Sequence, residues 1–571
     1  MNSPAPTSEP RLAGPFGDFL AGLATDHREL VRETARALVT AEAAGHACLP
    51  CANPASLLAS GVAGRPGELK PLLCVGGRVY LRRLFLHEGD VAAALRGRMD
   101  AADLPTDLTA VGTFLRACGF LAGPGIDWQA VAVAAGLVRP LVVISGGPGT
   151  GKTRTAAVLL AAVRQFQPGV RVALAAPTGK AAARLGESLS QTWATLNLSA
   201  GTVPAPMTLH RLLGASADGR RFRHGPENPL AADLVLVDEA SMVDLALMSR
   251  LVAALRADTR LVLLGDQDQL ASVEAGFVLG DLCAAAGVNR FSAGFAARLR
   301  PWNTAVPVAD DGHSTVIELS RNHRFGAEHS LARLVALIRA GDSTAAFAAL
   351  SGLPAGDPVA WRPVTDAETL AAEVRTAFGC HGLPRWHAPD AAAALAQLRD
   401  FQILCAVKRG SFGRDGVNEA CEALAEEAGF RRRGQVWYRG RPVLITANAP
   451  HLGLFNGDLG VTWPDAHGGL QVWFDGPDGV RGLVPDRLPA HETAFALTVH
   501  KSQGSEFGEV LVILPPAPSP VCTGELIYTG LTRARQRVTL LASPGALQAA
   551  LSTASVRSSG LAERIGGRSS V

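Results

Sequence analysis

Short apolar segments alternate with longer helical segments over most of the chain after about residue 127. Four of the apolar segments are LVVISG, VALAAP, DLVLVD and LVLLGD, and each ends in a Gly, Pro or Asp turn. This alternation is typical of a parallel sheet whose strands are joined by crossover helices. Functional loops are then expected at the carboxyl ends of those strands.

A second set of apolar segments follows late in the chain, as FQILCAV, VLVILPP and RVTLLAS. It predicts a second α/β domain, with helical stretches around LIYTGLTRAR. Between the two sets, residues 431–488 contain short segments at hairpin spacing, among them VWYRGRPVLITAN, GDLGVTW and LQVWFD. That spacing predicts a small β-barrel inserted into the second domain.

The remaining segments show no catalytic pattern. Residues 1–120 are rich in Ala and Leu, with a short strand pair around LLCVGGRVYLRRL, and we expect a helical domain that docks onto a partner. The basic segment DGRRFRHGPENP, in residues 218–230, is either a hairpin standing at a duplex junction or a plain surface loop. The tail after Ser543 is rich in Ser and Gly, and we expect it to be frayed.

Composition narrows the class of protein. With 571 residues, 48% of them hydrophobic and 18% charged, the chain fits a globular protein of three or four domains. No apolar run approaches the ~20 residues of a membrane helix. The opening MNSPAPTSEPRL lacks the pattern of a signal peptide, so we expect a cytoplasmic location.

Cysteine usage and charge add two expectations. Cys48 and Cys51 form the one CxxC pair among nine cysteines, so reduced structural thiols are favoured over a metal site. The net charge is only +3, so any nucleic acid would be bound in a lined channel rather than by bulk charge.

Lysine is rare in this chain. Only five of the 54 basic residues are lysines: Lys70, Lys152, Lys180, Lys408 and Lys501. A compact ammonium enters a phosphate cradle that a planar guanidinium cannot. Each lysine is therefore a candidate for such a site, and three of the five fall within the motifs described below.

A phosphate-binding loop is the most specific motif. GGPGTGKT follows a predicted strand and precedes a predicted helix, so that backbone N–H groups and the helix N-terminus point at one anion. Lys152 is expected to reach the β- and γ-phosphates of ATP, and the Thr153 hydroxyl to hold Mg²⁺. The other expected nucleotide contacts are Gly146, Gly147, Pro148, Gly149, Thr150 and Gly151.

Acidic and amide side chains follow two further strands. Asp238 is placed to hold magnesium through water and Glu239 to take a proton from the attacking water, although such a pair alone often caps a helix. Asp266 and Gln269 lie beyond the next strand, where an amide can sense the γ-phosphate.

Nucleic-acid contacts are expected from polar and basic residues at strand ends. Hydroxyls, backbone amides and Lys hold phosphates without reading sequence, although helix capping or a solvated turn explains each residue equally well in isolation. The expected contacts are Thr178, Lys180, His210, Thr498, His500 and Lys501.

With these residues in order, the chain resembles superfamily 1B helicases, and within them the RecD family, the alpha subunits of exodeoxyribonuclease V. The resemblance covers about three-quarters of the chain. It rests on the strings ISGGPGTGKT, APTGKAAARL, TLHRLLG, LVDEASMVD, GDQDQLASVEAG, LSRNHRF, GLFNGDLG, ALTVHKSQGSEF and YTGLTRARQRV.

The resemblance implies two RecA-like motor domains, 1A at residues 121–325 and 2A at residues 326–571, with an SH3-like 2B insertion at 431–488. It implies that Gln129 recognises adenine and that Arg324 and Arg533 contact the γ-phosphate, both arginines approaching from the second domain. The polar residues named above would contact single-stranded DNA, and translocation would run 5′ to 3′.

Partners are also implied by the resemblance. RecD docks through its leading domain onto RecC, and RecB carries the nuclease, so the assembly would process duplex DNA ends in double-strand break repair and recombination. A stand-alone RecD-like helicase is the alternative of the same chemistry. A non-translocating architectural subunit is the alternative of a different class.

Overall fold

The computed structural model describes residues 10–196, 204–216, 221–302, 304–324, 326, 329–476 and 479–567. Four sheets organise them, of which two are wholly parallel. Within these ranges no helix has the length and apolar character that a membrane crossing requires.

The N-terminal region combines helices with a small sheet. Its strands are β1 (Cys48–Pro50), β2 (Ala63–Gly64), β3 (Leu72–Val75) and β4 (Arg78–Leu81), in the order β1-β4-β3-β2. Its helices are α1 (Ala13–Leu23), α2 (Arg28–Ala43), α3 (Pro54–Ala59), α4 (Arg82–Met99) and α5 (Leu108–Ala117). The expected strand pair is β3 and β4, which run antiparallel around a Gly-Gly turn.

The first parallel sheet has the order β10-β5-β9-β8-β6-β7. Its strands are β5 (Leu141–Ser145), β6 (Val172–Ala176), β7 (Met207–Thr208), β8 (Leu234–Val237), β9 (Arg260–Gly265) and β10 (Val316–Glu318). The four predicted apolar segments form β5, β6, β8 and β9, which are almost completely buried between helices. The edge strands β7 and β10 are too short to show a pattern in sequence.

Seven helices accompany this sheet. They are α6 (Trp128–Val138), α7 (Lys152–Phe166), α8 (Gly179–Thr195), α9 (Leu209–Leu212), α10 (Leu245–Ala254), α11 (Val278–Ala286) and α12 (Ala293–Arg298). Helix α6 is buried on every side, which explains its apolar sequence.

Ten further strands form the other two sheets. They are β11 (Val359–Arg362), β12 (Phe401–Cys405), β13 (Pro442–Ile445), β14 (Leu459–Pro464), β15 (Leu470–Gly476), β16 (Gly479–Leu483), β17 (His491–Thr493), β18 (Ala496–Thr498), β19 (Phe507–Ile513) and β20 (Ala534–Leu541). The second parallel sheet has the order β11-β20-β19-β12-β18 and contains all three late apolar segments.

The helices of this half are α13 (Ser330–Arg339), α14 (Ser343–Ser351), α15 (Ala367–Ala377), α16 (Leu383–Trp386), α17 (Ala391–Asp400), α18 (Arg414–Glu427), α19 (Gly524–Leu531), α20 (Pro544–Ser552) and α21 (Leu561–Ile565). Apolar side chains from both faces of the second parallel sheet form two separate clusters, one beneath α19 and α20 and one beneath α15 and α18.

The predicted insertion is an antiparallel sheet of order β16-β15-β14-β13-β17. Val443, Ile445, Val472 and Phe474 form its interior. Strand β17 ends at Thr493, so the sheet extends a little beyond the predicted boundary at 488. The loop between β13 and β14 reaches the first parallel sheet, where Phe455 packs closely over Gly179.

The expectation of a frayed tail is wrong for the described residues up to 567, and residues 568–571 lie outside the described part of the chain. After α20 the chain crosses to the N-terminal region, where α21 packs against α4 and α11 with Leu561 and Ile565 buried. Ser559 Oγ and Gly560 N–H both donate to the buried carboxylate of Glu88 at 3.0 Å. Two apolar side chains one helical turn apart and these hydrogen bonds hold the segment in place despite its polar composition.

The basic segment after α9 is only partly described, because Asp218–Arg220 lie outside the described residues. Antiparallel bridges join Ala215 to Phe222 and Gly225 to Asn228. These bridges give the described part of the segment hairpin character.

Candidate nucleotide site and nucleic-acid surface

The phosphate-binding loop connects β5 to α7. Gly149 and Gly151 have φ values of 79° and 88°, a conformation that side chains disfavour. The Thr150 hydroxyl donates to Gly147 O at 2.7 Å and closes the turn. Lys152 Nζ donates to the carbonyls of Gly146 and Gly147, so the ammonium lies at the loop itself. Thr153 occupies the first turn of α7 beside it.

Neighbouring loops supply the acidic side chains. Burial and the adjacent Glu239 raise the pKa of Asp238 to about 6, against the opposing charge of Lys152. Glu239 has a φ of 51° and directly precedes a short 3₁₀ turn, Ala240–Met242. Both residues follow β8 and therefore lie on the same edge of the sheet as Lys152.

Asp266 and Gln269 lie at the end of the adjacent strand β9. Gln269 Nε2 donates to Asp266 Oδ2 at 2.9 Å, and its Oε1 is buried with no hydrogen-bond partner among the described residues. Tyr528 on α19 donates to the same Asp266 oxygen at 2.8 Å. A side chain added at Gly147 would meet the Tyr528 hydroxyl at 2.8 Å, so this phenol also faces the phosphate-binding loop.

Gln129 lies beside the phosphate-binding loop. Its Nε2 donates to Thr150 O at 2.9 Å and lies 3.4 Å from His323 Nε2. A cavity of about 210 Å³ opens next to it. Phe120, whose ring lies 4.5 Å from the Arg154 guanidinium, and His323 also line this cavity, and sequence reasoning missed all three of these residues.

The expectation that Arg324 approaches from the second domain is wrong, although the predicted bounds of the first domain, residues 121–325, include this arginine. It follows β10, which pairs in parallel with β5, so the segment after β10 lies along the phosphate-binding loop. His323 N donates to Gly149 O at 2.8 Å, and a side chain at Gly149 would meet Arg324 Cβ at 2.7 Å. Arg324 therefore approaches the loop from the first sheet.

Arg533 does come from the second half, at the end of α19. Its guanidinium is buried and donates to Thr529 O at 3.1 Å and Ser505 O at 3.2 Å. Burial lowers the pKa of Arg533, and the carboxylates of Glu239 and Glu506 oppose that shift. The proximity of Glu239 places Arg533 at the cleft that contains the phosphate-binding loop.

Glu506 is the functional candidate that sequence reasoning missed most clearly. Its carboxylate, 12% exposed, lies 2.7 Å from Arg324 Nη2 and 2.9 Å from Arg184 Nη2. Arg184 is on α8 and Glu506 immediately precedes β19, so the ion pairs join the two parallel sheets. Its sequence signals are its place within ALTVHKSQGSEF and its position directly before an apolar strand, and neither signal identifies its arginine partners.

The expected nucleic-acid residues of the first sheet lie at neighbouring strand ends, since β6 and β7 pair in parallel. Thr178 caps α8, and its hydroxyl accepts from Ala181 N–H at 3.2 Å. His210 is exposed on α9. Lys180 is half-buried, and its Nζ donates to Gly457 O at 3.0 Å, so the insertion covers part of this surface.

The expected nucleic-acid residues of the second sheet lie at the end of β18 and in the turn that follows it. Thr498 Oγ1 accepts a long hydrogen bond of 3.4 Å from Lys501 N–H, and Lys501 Nζ pairs with Glu492 at 2.6 Å. Burial lowers the pKa of His500, with Arg557 adding to the shift. The CxxC cysteines are free thiols, and the described residues contain no group of His, Cys, Asp or Glu side chains suited to a metal ion.

Comparison with known proteins fits this arrangement. The model of the AAA domain matches residues 129–275, and that of the UvrD-like helicase C-terminal domain matches residues 493–541. The first match spans the phosphate-binding loop and the loops after β8 and β9, and the second spans Arg533. The chain is thus a P-loop protein of the helicase class.

Relatives define the family. The RecBCD enzyme subunit RecD of Mycolicibacterium smegmatis is 38% identical over 541 residues, which cover 90% of this chain and 88% of that protein. RecBCD enzyme subunit RecD of Mycobacterium tuberculosis (strain H37Rv) is 39% identical, with 92% and 87% covered. The chain belongs to the RecD family.

Two further similarities are more distant. The ATP-dependent RecD2 DNA helicase of Deinococcus radiodurans is 32% identical, with 86% of this chain and 59% of that protein covered. The crystal structure of a Pif1 helicase from Bacteroides, in complex with ADP-AlF3 and ssDNA, aligns with a TM-score of 0.35 at 15% identity. That alignment covers 70% of this chain and 88% of that structure.

Proposed function

We propose that the chain is an ATP-dependent 5′-to-3′ DNA helicase, the motor subunit of a RecBCD-type helicase-nuclease that acts in double-strand break repair and recombination. One observation carries this proposal: the phosphate-binding loop, the Asp238–Glu239 pair and the arginines Arg324 and Arg533 converge on one cleft between two parallel sheets. Closing such a cleft on ATP and opening it after hydrolysis moves the two halves relative to each other.

Each residue has a proposed task in hydrolysis. Lys152 and the loop N–H groups bind the β- and γ-phosphates, and Glu239 accepts the proton of the attacking water. Arg324 and Arg533 neutralise the charge that develops on the γ-phosphate oxygens. Gln269 senses that phosphate, and Gln129 recognises adenine in the adjoining cavity.

The residues beside Lys152 also fit Mg²⁺. A threonine hydroxyl and a carboxylate are the hard oxygen donors that this ion prefers, and Thr153 and Asp238 offer them on adjacent loops of one sheet edge. Bound there, the ion would neutralise phosphate charge.

Single-stranded DNA is proposed to lie along the strand ends that carry Thr178, Lys180 and His210 on one half and Thr498, His500 and Lys501 on the other. Hydroxyls and cations of this kind grip the sugar-phosphate backbone without reading sequence. The antiparallel sheet of β13–β17, proposed to be an SH3-like 2B domain, closes over Lys180 and so forms one wall of the channel.

Residues 121–325 and 326–571 are proposed as motor domains 1A and 2A. Residues 1–120 are proposed to dock onto the RecC subunit, with RecB supplying the nuclease and duplex DNA ends the substrate. Helix α1 supports the docking role, because Phe19 and Leu23 are 62% and 57% exposed one helical turn apart.

An ATPase assay tests the central proposal. The chain is expected to hydrolyse ATP faster with single-stranded DNA than without it, and Lys152→Ala should abolish both rates because the β- and γ-phosphates lose their cation. Duplexes with a 5′ tail should be unwound in preference to those with a 3′ tail. ATP hydrolysis that survives in the Lys152→Ala variant would refute the site assignment.

The similarity to the RecD2 helicase favours a second candidate, a helicase that works without RecB and RecC. Purification of the tagged chain from its own cells separates the two. Copurification of two large partners supports the RecBCD-type assembly, whereas an active lone chain supports the second candidate.

A further inference from the structure

Four arginines surround a single carboxylate at the boundary between the two parallel sheets. Glu506 receives Arg324 on Oε1, and Arg184 together with Arg535 on Oε2, the last at 3.4 Å. Arg533 is held beside it by Ser505 O. Two of the four arginines, Arg184 and Arg324, belong to the half that carries the phosphate-binding loop.

The carboxylate remains charged within this cluster. Burial alone would raise the pKa of Glu506, but Arg184, Arg324 and Arg533 outweigh it and hold the pKa at about 2. The cluster still has more positive than negative groups. Arg324 and Arg533 are the least exposed of the four, and a buried guanidinium without a counter-charge is unfavourable, so these two arginines retain capacity for a further anion.

Arg324 lies between the Glu506 carboxylate and the loop that is proposed to bind phosphate. On one side its backbone lies against the phosphate-binding loop at Gly149, and on the other its guanidinium is paired with Glu506. One terminal nitrogen, Nη1, is buried with no hydrogen-bond partner among the described residues. A phosphate bound at the loop would therefore compete with Glu506 for the Arg324 guanidinium.

We propose that Glu506 is a positioning residue that competes with the γ-phosphate of ATP for Arg324, and so couples this arginine to the second half of the protein. This inference rests on the proposed ATP-driven function. When the γ-phosphate is present, Arg324 turns toward it and its ion pair across the cleft weakens. When phosphate leaves, the pair with Glu506 re-forms and the guanidinium never lacks a counter-charge.

The competition predicts an unusual effect of Glu506→Gln. The neutral amide keeps the size of the side chain but pairs less strongly with arginine, so Arg324 gains more from a γ-phosphate. We expect ADP–beryllium fluoride to bind more tightly relative to ADP, by roughly fivefold or more, the range of coupling between two sites. Titration calorimetry of the full chain with each nucleotide measures this preference.

Two further variants assign the effect to Arg324. In an Arg324→Ala background, Glu506→Gln should no longer change the preference for ADP–beryllium fluoride over ADP. Glu509→Gln is the matched control, because Glu509 lies on the same strand but pairs with Arg537 and His381 away from the cleft. It should retain the wild-type preference.

The result that overturns the proposal is a preference that Glu506→Gln leaves unchanged or lowers. If that variant does not fold, Glu506→Asp keeps the charge while drawing it back from Arg324, and a smaller gain in the same direction is expected; no gain overturns the proposal equally. Wild-type protein without any preference for ADP–beryllium fluoride would instead refute the proposed function.

Discussion

Tyr528 donates a hydrogen bond of 2.8 Å to Asp266, a residue 262 positions earlier in the chain and in the other half of the motor. Next to it, Leu270 N–H donates to the Thr529 hydroxyl at 3.0 Å, and Leu270 O accepts from Gln503 Nε2 at 2.8 Å. The loop after β9 is thus held by side chains of the second half. Because Gln269 lies in that loop, its position depends on how the two halves meet.

Tyr528→Phe should slow ATP hydrolysis more than it weakens ATP binding. The substitution removes the one hydroxyl that fixes Asp266 from across the cleft, and a hydrogen bond to a charged group contributes about 1.5–3 kcal/mol, or roughly tenfold to a hundredfold in rate. Steady-state kinetics with saturating single-stranded DNA measure kcat and KM separately. A raised KM at constant kcat would contradict a role in coupling.

Tyr438→Phe is the control for this variant. Tyr438 is equally buried, but its hydroxyl has no hydrogen-bond partner among the described residues and lies outside the cleft, beneath α18. Its replacement should leave kcat near the wild-type value. A similar loss of rate in both variants would indicate a general effect of removing a buried phenol.

Gly151→Ala should abolish ATP binding. The φ of 88° disfavours any side chain, and a Cβ would lie only 2.0 Å from Gln129 Nε2, so both the phosphate-binding loop and the adenine-side residue must move. Gly169→Ala has the same backbone strain, with a φ of 90°, but meets nothing within 4 Å. That control should lose about 1–2 kcal/mol of stability and keep its nucleotide affinity, measured by calorimetry.

The phosphate-binding loop was predictable because its determinants are local. The glycines around Lys152, the preceding strand and the following helix all fall within about thirty residues, and their order alone fixes the geometry. The same holds for Asp238, which directly ends an apolar strand. Each of these residues takes its position from its own strand, whatever the remainder of the chain does.

Contacts between distant segments could not be predicted in this way. Tyr528 and Glu506 both stood inside recognised strings, yet their partners Asp266 and Arg184 become visible only when the two sheets are packed together. Arg324 was expected to approach from the wrong half for the same reason, since the three-residue strand before it shows no pattern of its own. Pairing of β10 with β5 decides its position.

DNA binding should weaken above about pH 8. Burial lowers the pKa of Lys180 to about 8, with Asp458 opposing and Arg184 adding to the shift. As the pH rises through that value, the Lys180 ammonium loses its charge. The protein then loses one contact with a DNA phosphate. The slope of log affinity against log salt for single-stranded DNA should become less steep by about 0.6 between pH 7 and pH 9, because about four-fifths of one charge is lost.

Lys180→Gln is the control variant for this pH dependence of DNA binding. The variant should show the smaller salt slope at both pH values, because its side chain carries no charge at either. Fluorescence anisotropy of a labelled oligonucleotide measures both proteins across the salt series. A wild-type slope that does not change with pH would exclude Lys180 from the phosphate contacts.

Leu561→Asp should destabilise the whole chain. Leu561 is buried in the cluster that also contains N-terminal residues and residues around β8 and β9, and a carboxylate there has no partner. We expect a loss of about 3–5 kcal/mol, seen as a lower temperature of thermal unfolding. Val556→Asp, at a position 75% exposed on the same segment, should leave that temperature unchanged.

Charged substitutions on α1 should disrupt assembly without affecting the motor. Leu12, Phe19 and Leu23 are spaced by seven and four residues, so they lie along one side of the helix, and all three are more than half exposed. An interface centred on them would lose affinity when Phe19→Asp and Leu23→Asp are combined, since a carboxylate cannot be buried there unpaired.

The chain carrying both Phe19→Asp and Leu23→Asp, purified without partners, should keep wild-type DNA-stimulated ATPase activity. Helix α1 packs on α2, and the two substituted positions face away from that contact. Copurification with candidate RecB- and RecC-type partners measures assembly. Asp18→Asn, on the same helix but at a polar exposed position, serves as the control and should copurify normally. If the double variant recovers its partners fully, α1 does not contribute to the docking surface. That surface would then lie on another face of residues 1–120.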